Sequence, residues 1–366
     1  MTRIPQQLQQ ALSQFVFRFN AELHDYLKTK GTSVPQVNQA TKALILQLDS
    51  STSSGGKRVR PFLTMLGLGL WGDSKVTLES ILKVQLAQEL FQSFALLHDD
   101  IMDSALVRRG TPTIEAVNRL VFASVIENKE LRERTALNTS LMAGDMAFAW
   151  AQELCMTYCL LKATPLVHQE WSDMVSEVLI GQNEDSFGLS LRSLADISEE
   201  EIYNMIDLKS GRYTIARPLV MGAVLGGASA QTRDAVFAAG QKLGIAFQLK
   251  DDLLGLYGEE GSVGKSTVSD ITEGKRTLLV KRAFERSTPS DQQKMMAILG
   301  NKDANTWDIE WVKEQVELTG VRQETEIEVS RLVDEFLGFI SIQPGGDTEA
   351  KQLLGELAYY IIERNK

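Results

Sequence analysis

Cysteine is almost absent from this 366-residue chain, with only Cys155 and Cys159. Their i,i+4 spacing does not suit the usual short zinc pairs. No histidine cluster accompanies them, since His24, His98 and His168 are the only histidines. Proline is also scarce, with eight in all. Pro112, Pro165, Pro218, Pro289 and Pro344 stand far enough apart to leave room for several helices between them. No window reaches the ~18 uninterrupted apolar residues of a membrane span. Residues 1–30 are polar and amphipathic, without the apolar core of a secretory signal. Basic residues are outnumbered 38 to 48, a net charge of −10. That balance argues against nucleic acid or an anionic membrane as partner. Reduced cysteines, no span and no signal lead us to expect a cytoplasmic protein.

What is present is helical periodicity. Hydrophobic residues make up 43% of the chain, enough for a large core. Almost nothing alternates with period two, and no repeat of solenoid length occurs. Helical spacing predicts helices over 8–28, 36–48, 62–72, 80–103, 113–126, 136–162 and 166–185. Further on it predicts 198–226, with a kink at Arg217-Pro218, and 230–256. Shorter amphipathic helices follow at 277–286, 290–299, 308–318, 322–341 and 347–364. Between them, Gly31–Pro35, Ser50–Gly56, Glu127–Arg134, 186–197 and Glu259–Lys275 read as breaks, turns or loops. The economical architecture is an all-α, single-domain helical bundle spanning 1–366. Gly67-Leu68-Gly69-Leu70-Trp71-Gly72 matches the dinucleotide fingerprint letter for letter. It trails a helix-like run instead of following a strand, so close helix packing is the better reading.

One stretch organises the rest. In Leu97-His98-Asp99-Asp100-Ile101-Met102-Asp103, Asp99 and Asp103 lie one helical turn apart on one face. Alone, such a pair is usually a solvated acidic surface. It is also half of a site for a hard divalent cation, which needs oxygen ligands and a substrate phosphate. A second acidic stretch, Phe247-Gln248-Leu249-Lys250-Asp251-Asp252, puts Gly244, Gln248, Asp251 and Gly255 on one face. Gln92, Asp99 and Asp103 share a face in the same way. Two such helices can clamp metals across a bundle cavity. Candidate phosphate-holding cations are Lys57 and Arg60 behind a glycine pair, Arg108 and Arg109, Lys209, Lys265 and Lys275. Lys209 or Lys275 alone reads as a solvated side chain, and Lys57 and Arg60 beside the Ser/Gly run as the cap of a linker. Asp185 and Asp270 read equally well as caps or as site residues.

Taken in order, six segments resemble the all-trans isoprenyl diphosphate synthases, the farnesyl and geranylgeranyl diphosphate synthase family. They are Gly55-Gly56-Lys57-Arg58-Val59-Arg60-Pro61; Asp99 to Asp103 with Arg108-Arg109-Gly110; Gly181-Gln182 with Asp185; Leu208-Lys209-Ser210-Gly211; Phe247-Gln248 with Asp251-Asp252; and Gly264-Lys265 with Asp270-Ile271 and Gly274-Lys275. Together they cover about residues 50–280. The resemblance implies joining isopentenyl diphosphate to an allylic diphosphate (dimethylallyl, geranyl or farnesyl) with Mg2+, three ions in all and Mn2+ able to substitute, in a homodimer. It implies Asp99, Asp103 and Asp251 as metal ligands. Arg108, Lys209 and Lys265 would hold the allylic diphosphate, with Gln248 and Lys275 assisting. Lys57, Arg60, Arg109 and Gln92 would hold isopentenyl diphosphate. Lys209, Ser210 and Gln248 would line the carbocation, and the departing diphosphate would take the proton, so the histidines are read as structural. Phe94, five residues before Asp99, beside Ala95 and with Phe91 one turn deeper, resembles a short-chain pattern favouring C20 over C15 products.

Two departures matter. Ser210 replaces the family's commoner threonine and keeps the hydroxyl. Gly255 stands where the second motif usually has its third aspartate. Asp251, Gly255 and Glu259 also have the i, i+4, i+8 spacing of a class I terpene cyclase, a rival that needs no second diphosphate pocket. A regulatory subunit of a hetero-oligomeric synthase is the third reading, and would be expected to lose more of the motifs than this.

Overall fold

The computed structural model describes residues 4–33, 39–53, 55–72, 78–108, 110–162, 164–258, 269–343 and 346–363. The fold is all-α, with two two-residue strands as the exception among the described residues. The helices group into two compact units.

The first unit holds residues 9–62 and 77–168. It contains most of α1 (Gln6–Ser33), with α2 (Gln39–Ser53), α4 (Leu78–Met102), α5 (Ile114–Ala123) and α6 (Lys129–Lys162), and α3 (Val59–Trp71) begins in it. Strands β1 (Val107–Arg108) and β2 (Thr111–Pro112) pair antiparallel, closing on Gly110 at φ +76°. The axis of this unit is α4 against α6. Leu86, Ala87, Leu90, Phe91 and Phe94 of α4 are buried, as are the small Ala136, Ser140, Ala143, Gly144, Ala147 and Ala151 of α6. A row of small side chains at helical spacing lets two helices approach closely, so the wide apolar surface read on α4 does mark a buried helix.

The second unit holds residues 1–8, 63–76 and 169–366. Its elements are α7 (Pro165–Asn183, from residue 169 on), α8 (Glu199–Ile206), α9 (Arg217–Leu225), α10 (Ala230–Tyr257), α11 (Ser269–Thr272), α12 (Leu278–Arg286), α13 (Pro289–Ile298), α14 (Thr306–Leu318), α15 (Val321–Ser341) and α16 (Thr348–Glu363). The G-x-G-x-x-G match is packing, as expected. A Cβ on Gly67 would lie 2.4 Å from the Leu219 carbonyl oxygen, and one on Gly72 would lie 3.0 Å from Gly226 Cα.

Several predicted breaks are helical instead. Helix α1 runs on through Gly31 to Ser33, because Thr32 and Ser33 hydroxyls donate to the carbonyls of Thr29 and Lys30 at 2.8 and 3.0 Å. The serine run 50–53 is the last turn of α2, with Thr52 buried and Ser53 Oγ on Asp49 Oδ1 at 3.0 Å. The charged 127–134 stretch opens α6, since Asn128 Oδ1 accepts from the Leu131 N–H at 2.9 Å as an N-cap.

The largest correction lies within 198–226, where a single kinked helix was expected. Residues Asp207–Ala216 form a π-helical segment between α8 and α9. Another, Glu184–Leu189, continues α7 where a loop was expected. Pro218 has no N–H to donate, so the backbone upstream must rearrange, and the Arg217 N–H reaches back to the Arg212 carbonyl. Side chains then lock the segment. Arg212 pairs with Glu177 at 2.7 Å and Asp207 at 2.6 Å. Arg217 pairs with Glu177 at 2.6 Å and Glu170 at 2.5 Å. The Phe237 ring lies 5.5 and 4.6 Å from the two guanidinium carbons. Removing one member of a buried network leaves uncompensated charge, which costs about 3–5 kcal/mol. Glu177→Ala should therefore lose about that much unfolding free energy in a denaturant titration, and a loss under about 1 kcal/mol would show the network to be decorative.

Candidate active site

In the first unit the acidic motif ends a helix. Asp99 and Asp100 lie in the last turn of α4 and Asp103 just beyond it, its N–H donating to the Asp99 carbonyl at 2.8 Å. Ser104 adopts φ +53° and stops the helix. Three carboxylates at a helix C-terminus oppose the macrodipole, each at a cost of about 0.3–1 kcal/mol. The position therefore calls for cations. Arg108 on β1 supplies one, with Nη2 2.8 Å from Asp99 Oδ2 and Nε 2.5 Å from Asp100 Oδ1. Burial works against the guanidinium charge, and the Asp100 and Asp99 carboxylates outweigh it, raising its pKa.

The glycine–cation loop is built around a residue not singled out from sequence. Arg58 is buried, at φ +48°. Its Nε donates to Asn20 Oδ1 at 2.9 Å, Nη1 to Glu89 Oε2 at 2.6 Å and Nη2 to the Thr52 carbonyl at 2.9 Å. The side chain thus ties the loop to α1, α4 and α2. A left-handed non-glycine backbone costs of order 1–3 kcal/mol, so three charge-assisted bonds are what hold it there. Lys57 is left exposed beside it, with Arg60 half-buried in the first turn of α3 and Gln92 half-buried on α4.

The expected chain-length residues form an aromatic cluster with one unforeseen member. The Phe94 ring packs at a tilt against His98 and Phe91, at centroid distances of 4.6 and 5.4 Å. Phe148 of α6 closes the group, 5.0 Å from Phe94 and 6.1 Å from Phe91. His98 also fills the space a side chain on Gly144 would take, 2.4 Å from that Cβ position, which accords with its structural reading. Ala95 is half-buried one turn before Asp99.

In the second unit Lys209 and Ser210 sit inside the π-helical segment, both half-buried. Lys209 Nζ pairs with Asp185 Oδ2. A Cβ on Gly181 would lie 2.4 Å from the Lys209 nitrogen, and one on Gly244 would lie 2.3 Å from the Gly211 carbonyl oxygen. These glycines allow α7 and α10 to press against the segment that carries Lys209. On α10, Gln248 Nε2 donates to Asp252 Oδ1 at 2.8 Å, while Asp251 is half-buried beside it. Burial pushes the Asp252 carboxyl up to about 7. The Gln248 hydrogen bond and Lys275 oppose the rise, and Asp270 and Asp251 add to it. Lys275 Nζ lies 2.9 Å from Asp270 Oδ1 and 3.2 Å from Glu273 Oε2. Burial works against its charge, and Asp270, Glu273 and Asp185 together raise its pKa.

Arg109, Lys265 and Glu259 lie outside the described residues. Among the described residues no three His, Cys, Asp or Glu side chains converge as a ready metal site. The donor chemistry nevertheless fits Mg2+, which takes one or two carboxylates and completes its shell with water and phosphate oxygens. In the second unit the Asp270 and Asp251 charges add to the rise that burial gives the Asp252 carboxyl. Among the described residues no helix is long and apolar enough to cross a membrane.

Both acidic clusters offer oxygen donors with an arginine or lysine paired to them, and both are carried on helices. The polyprenyl synthetase family profile matches residues 41–316. The chain is 33% identical to a geranylgeranyl pyrophosphate synthase from Corynebacterium glutamicum, solved with isoprenyl diphosphate and magnesium; the match covers 96% of this chain and 99% of that one at a TM-score of 0.88. It is 30% identical to the short chain isoprenyl diphosphate synthase of Methanocaldococcus jannaschii, over 81% of this chain and 80% of that protein. It is 29% identical to the geranylgeranyl diphosphate synthase of Saccharolobus solfataricus, over 86% and 88%. The chain belongs to the polyprenyl synthetase family, as the motif order implied.

Proposed function

We propose that this protein is a Mg2+-dependent trans-prenyltransferase that condenses isopentenyl diphosphate with dimethylallyl, geranyl or farnesyl diphosphate, with C20 geranylgeranyl diphosphate as its main product. The observation that carries this reading is the pair of acidic, cation-rimmed half-sites at Asp99/Arg108 and at Asp251/Lys209/Lys275. It rests also on the family match and on the synthases the chain resembles. The whole chain, 1–366, is taken as one isoprenyl diphosphate synthase domain.

Asp99, Asp103 and Asp251 would hold magnesium, three ions with Mn2+ able to substitute, and the metal would supply charge neutralisation for the departing diphosphate. Arg108, Lys209, Lys265 and Lys275 grip that diphosphate as its C–O bond breaks. Lys209, Ser210 and Gln248 line the allylic cation. The isopentenyl double bond attacks the cation, and the released diphosphate takes the proton from the adjacent carbon. Lys57, Arg60, Arg109 and Gln92 hold the isopentenyl diphosphate without metal. Arg58 makes that second pocket by fixing the loop, and a cyclase would have no use for it.

Arg58→Ala should raise KM for isopentenyl diphosphate about tenfold or more while leaving KM for the allylic primer within about twofold. It should also cost about 3–5 kcal/mol of stability by stranding Glu89. Equal changes in both KM values would show a general loss of structure instead. Exposed apolar side chains on α6 (Met142, Met156, Leu160, Leu161) and α5 (Leu120, Val121) support a homodimer. The deciding assay is incubation with isopentenyl diphosphate, Mg2+ and each of the C5, C10 and C15 primers, followed by chain-length analysis. Elongated diphosphates support the reading. A hydrocarbon from a primer alone, or no turnover, overturns it.

A further inference from the structure

Asp207, Arg212 and Arg217 follow one another at intervals of five and form a ladder. Arg212 Nε lies 2.6 Å from Asp207 Oδ2, and Glu177 of α7 joins Arg212 to Arg217 at 2.7 and 2.6 Å. In an α-helix, residues five apart stand about 140° from one another round the axis, too far to share a face. An i→i+5 backbone brings them into line, and the bond from the Arg217 N–H to the Arg212 carbonyl is of that kind. Packing against α10 keeps the same count. A Cβ on Gly240 would lie 2.7 Å from Ala216 Cα, and Gly244 lies against the Gly211 carbonyl. Five positions on the segment thus match four on α10, about one turn of each. Side chains and packing independently select the π-helical form.

Stability alone gives little reason to keep this ladder. Asp207 is buried, and its Oδ2 also accepts from Gln241 Nε2 at 2.8 Å. Its Oδ1 has no hydrogen-bond partner among the described residues, and a buried oxygen left unpaired is destabilising. What the ladder decides is the setting of two other side chains. Lys209 and Ser210 lie between its first two rungs, and Lys209 pairs with Asp185. Downstream, Arg217–Leu225 is buried throughout, so that end is fixed. A change to i→i+4 bonding would pass the surplus residue upstream and turn Lys209 and Ser210 by about 100° round the axis.

We propose that Asp207 and Arg212 are positioning residues for Lys209 and Ser210. Their period-five pair, continued through Glu177 to Arg217, holds residues 207–216 in the π-helical form and so aims the two groups that line the allylic cation. The part given to Lys209 and Ser210 rests on the prenyltransferase reading; the link between ladder and backbone form rests on geometry alone.

The first test needs no activity. A crystal structure of Asp207→Ala/Arg212→Ala should show the Arg217 N–H bonded to the Tyr213 carbonyl in place of that of residue 212, and Lys209 parted from Asp185. Arg212→Met keeps the stem against Phe237 and removes both ion pairs, so it answers the same question if the double variant does not fold. An unchanged i→i+5 bond with Lys209 still on Asp185 overturns the proposal. Steady-state kinetics with an allylic primer and isopentenyl diphosphate follow. Asp207→Ala and Arg212→Met should each lower kcat about 10- to 100-fold, the scale of a small misplacement of reacting groups, with KM for isopentenyl diphosphate within about twofold. The double variant should fall little further than either single one, because each change breaks the same pair. Glu199→Gln, which breaks a pair with Arg282 elsewhere in the unit, should melt lower with turnover unchanged. Normal turnover in Arg212→Met, or an equal loss in Glu199→Gln, overturns the positioning role. A wild type that makes no elongated product would count against the prenyltransferase reading, and the backbone of the variants would still decide the ladder.

Discussion

Asp99→Asn is expected to lower turnover by at least 10²- to 10³-fold, the scale seen when one preorganised stabiliser of developing charge is removed. Asp251→Asn should do the same from the other motif. Neither change should unfold the protein. The asparagine oxygen at 99 can still accept from Arg108 Nη2, and Arg108 keeps its 2.5 Å bond to Asp100. Weakening one charge-assisted bond costs about 1–2 kcal/mol, and removing an anion from a helix C-terminus returns about 0.3–1 kcal/mol. The net change is small against a total stability of about 5–15 kcal/mol. The two properties should therefore separate, with turnover falling by orders of magnitude and the metal-free melting temperature moving by a few degrees. Steady-state kinetics and a melting curve on the same preparation check this. A turnover within about fivefold of wild type in either variant would remove that aspartate from the metal-binding role.

The reach of the sequence differed from one part of the site to another. The helices that carry Asp99 and Asp251 were legible because helical geometry converts spacing into shared faces, and both are long. Arg108 was legible as a nearby cation, though its bond to Asp100, which points away from the Asp99 face, was not. The π-helical setting of Lys209 and Ser210 could not be read. An i→i+5 bond leaves no periodic signature over so few residues, and its cause is a proline acting together with glutamates some forty positions upstream. Pro218 was the available signal, and it was read as an ordinary kink. Arg58 was hidden for a related reason. A positive φ at arginine is decided by three partners on separate helices, so local propensity has no say in it. Gly255 and Asp270 lie fifteen positions apart in the chain, and nothing in the spacing announces that the two are packed together. The serine run at 50–53 misled because polar residues at a helix end serve as capping groups as readily as linkers.

Product length should be the most visible consequence of the aromatic cluster. Phe94 lies five residues before Asp99, about 7.5 Å along the helix axis, and Phe91 about 12 Å. One helical turn, about 5.4 Å, is close to the length that one isoprene unit adds. The rings at 94 and 148 are 5.0 Å apart, so neither blocks the space alone, and trimming one leaves the other to fill part of the gap. Phe94→Ala is therefore expected to shift the main product by one isoprene unit, from C20 to C25. Phe94→Ala/Phe148→Ala should go further than the sum of the two single changes, because the rings share one boundary. Each truncation costs about 3–5 kcal/mol if the cavity stays empty, so the double variant is best assayed well below its melting temperature. Phe91 is fully buried and touches both rings, which makes Phe91→Leu, a smaller loss, the safer third variant. Chain-length analysis of the products reads the result directly. Unchanged product length in the Phe94/Phe148 double variant, with normal turnover, would mean that the growing chain runs along another wall and that this cluster serves only to pack α4 against α6.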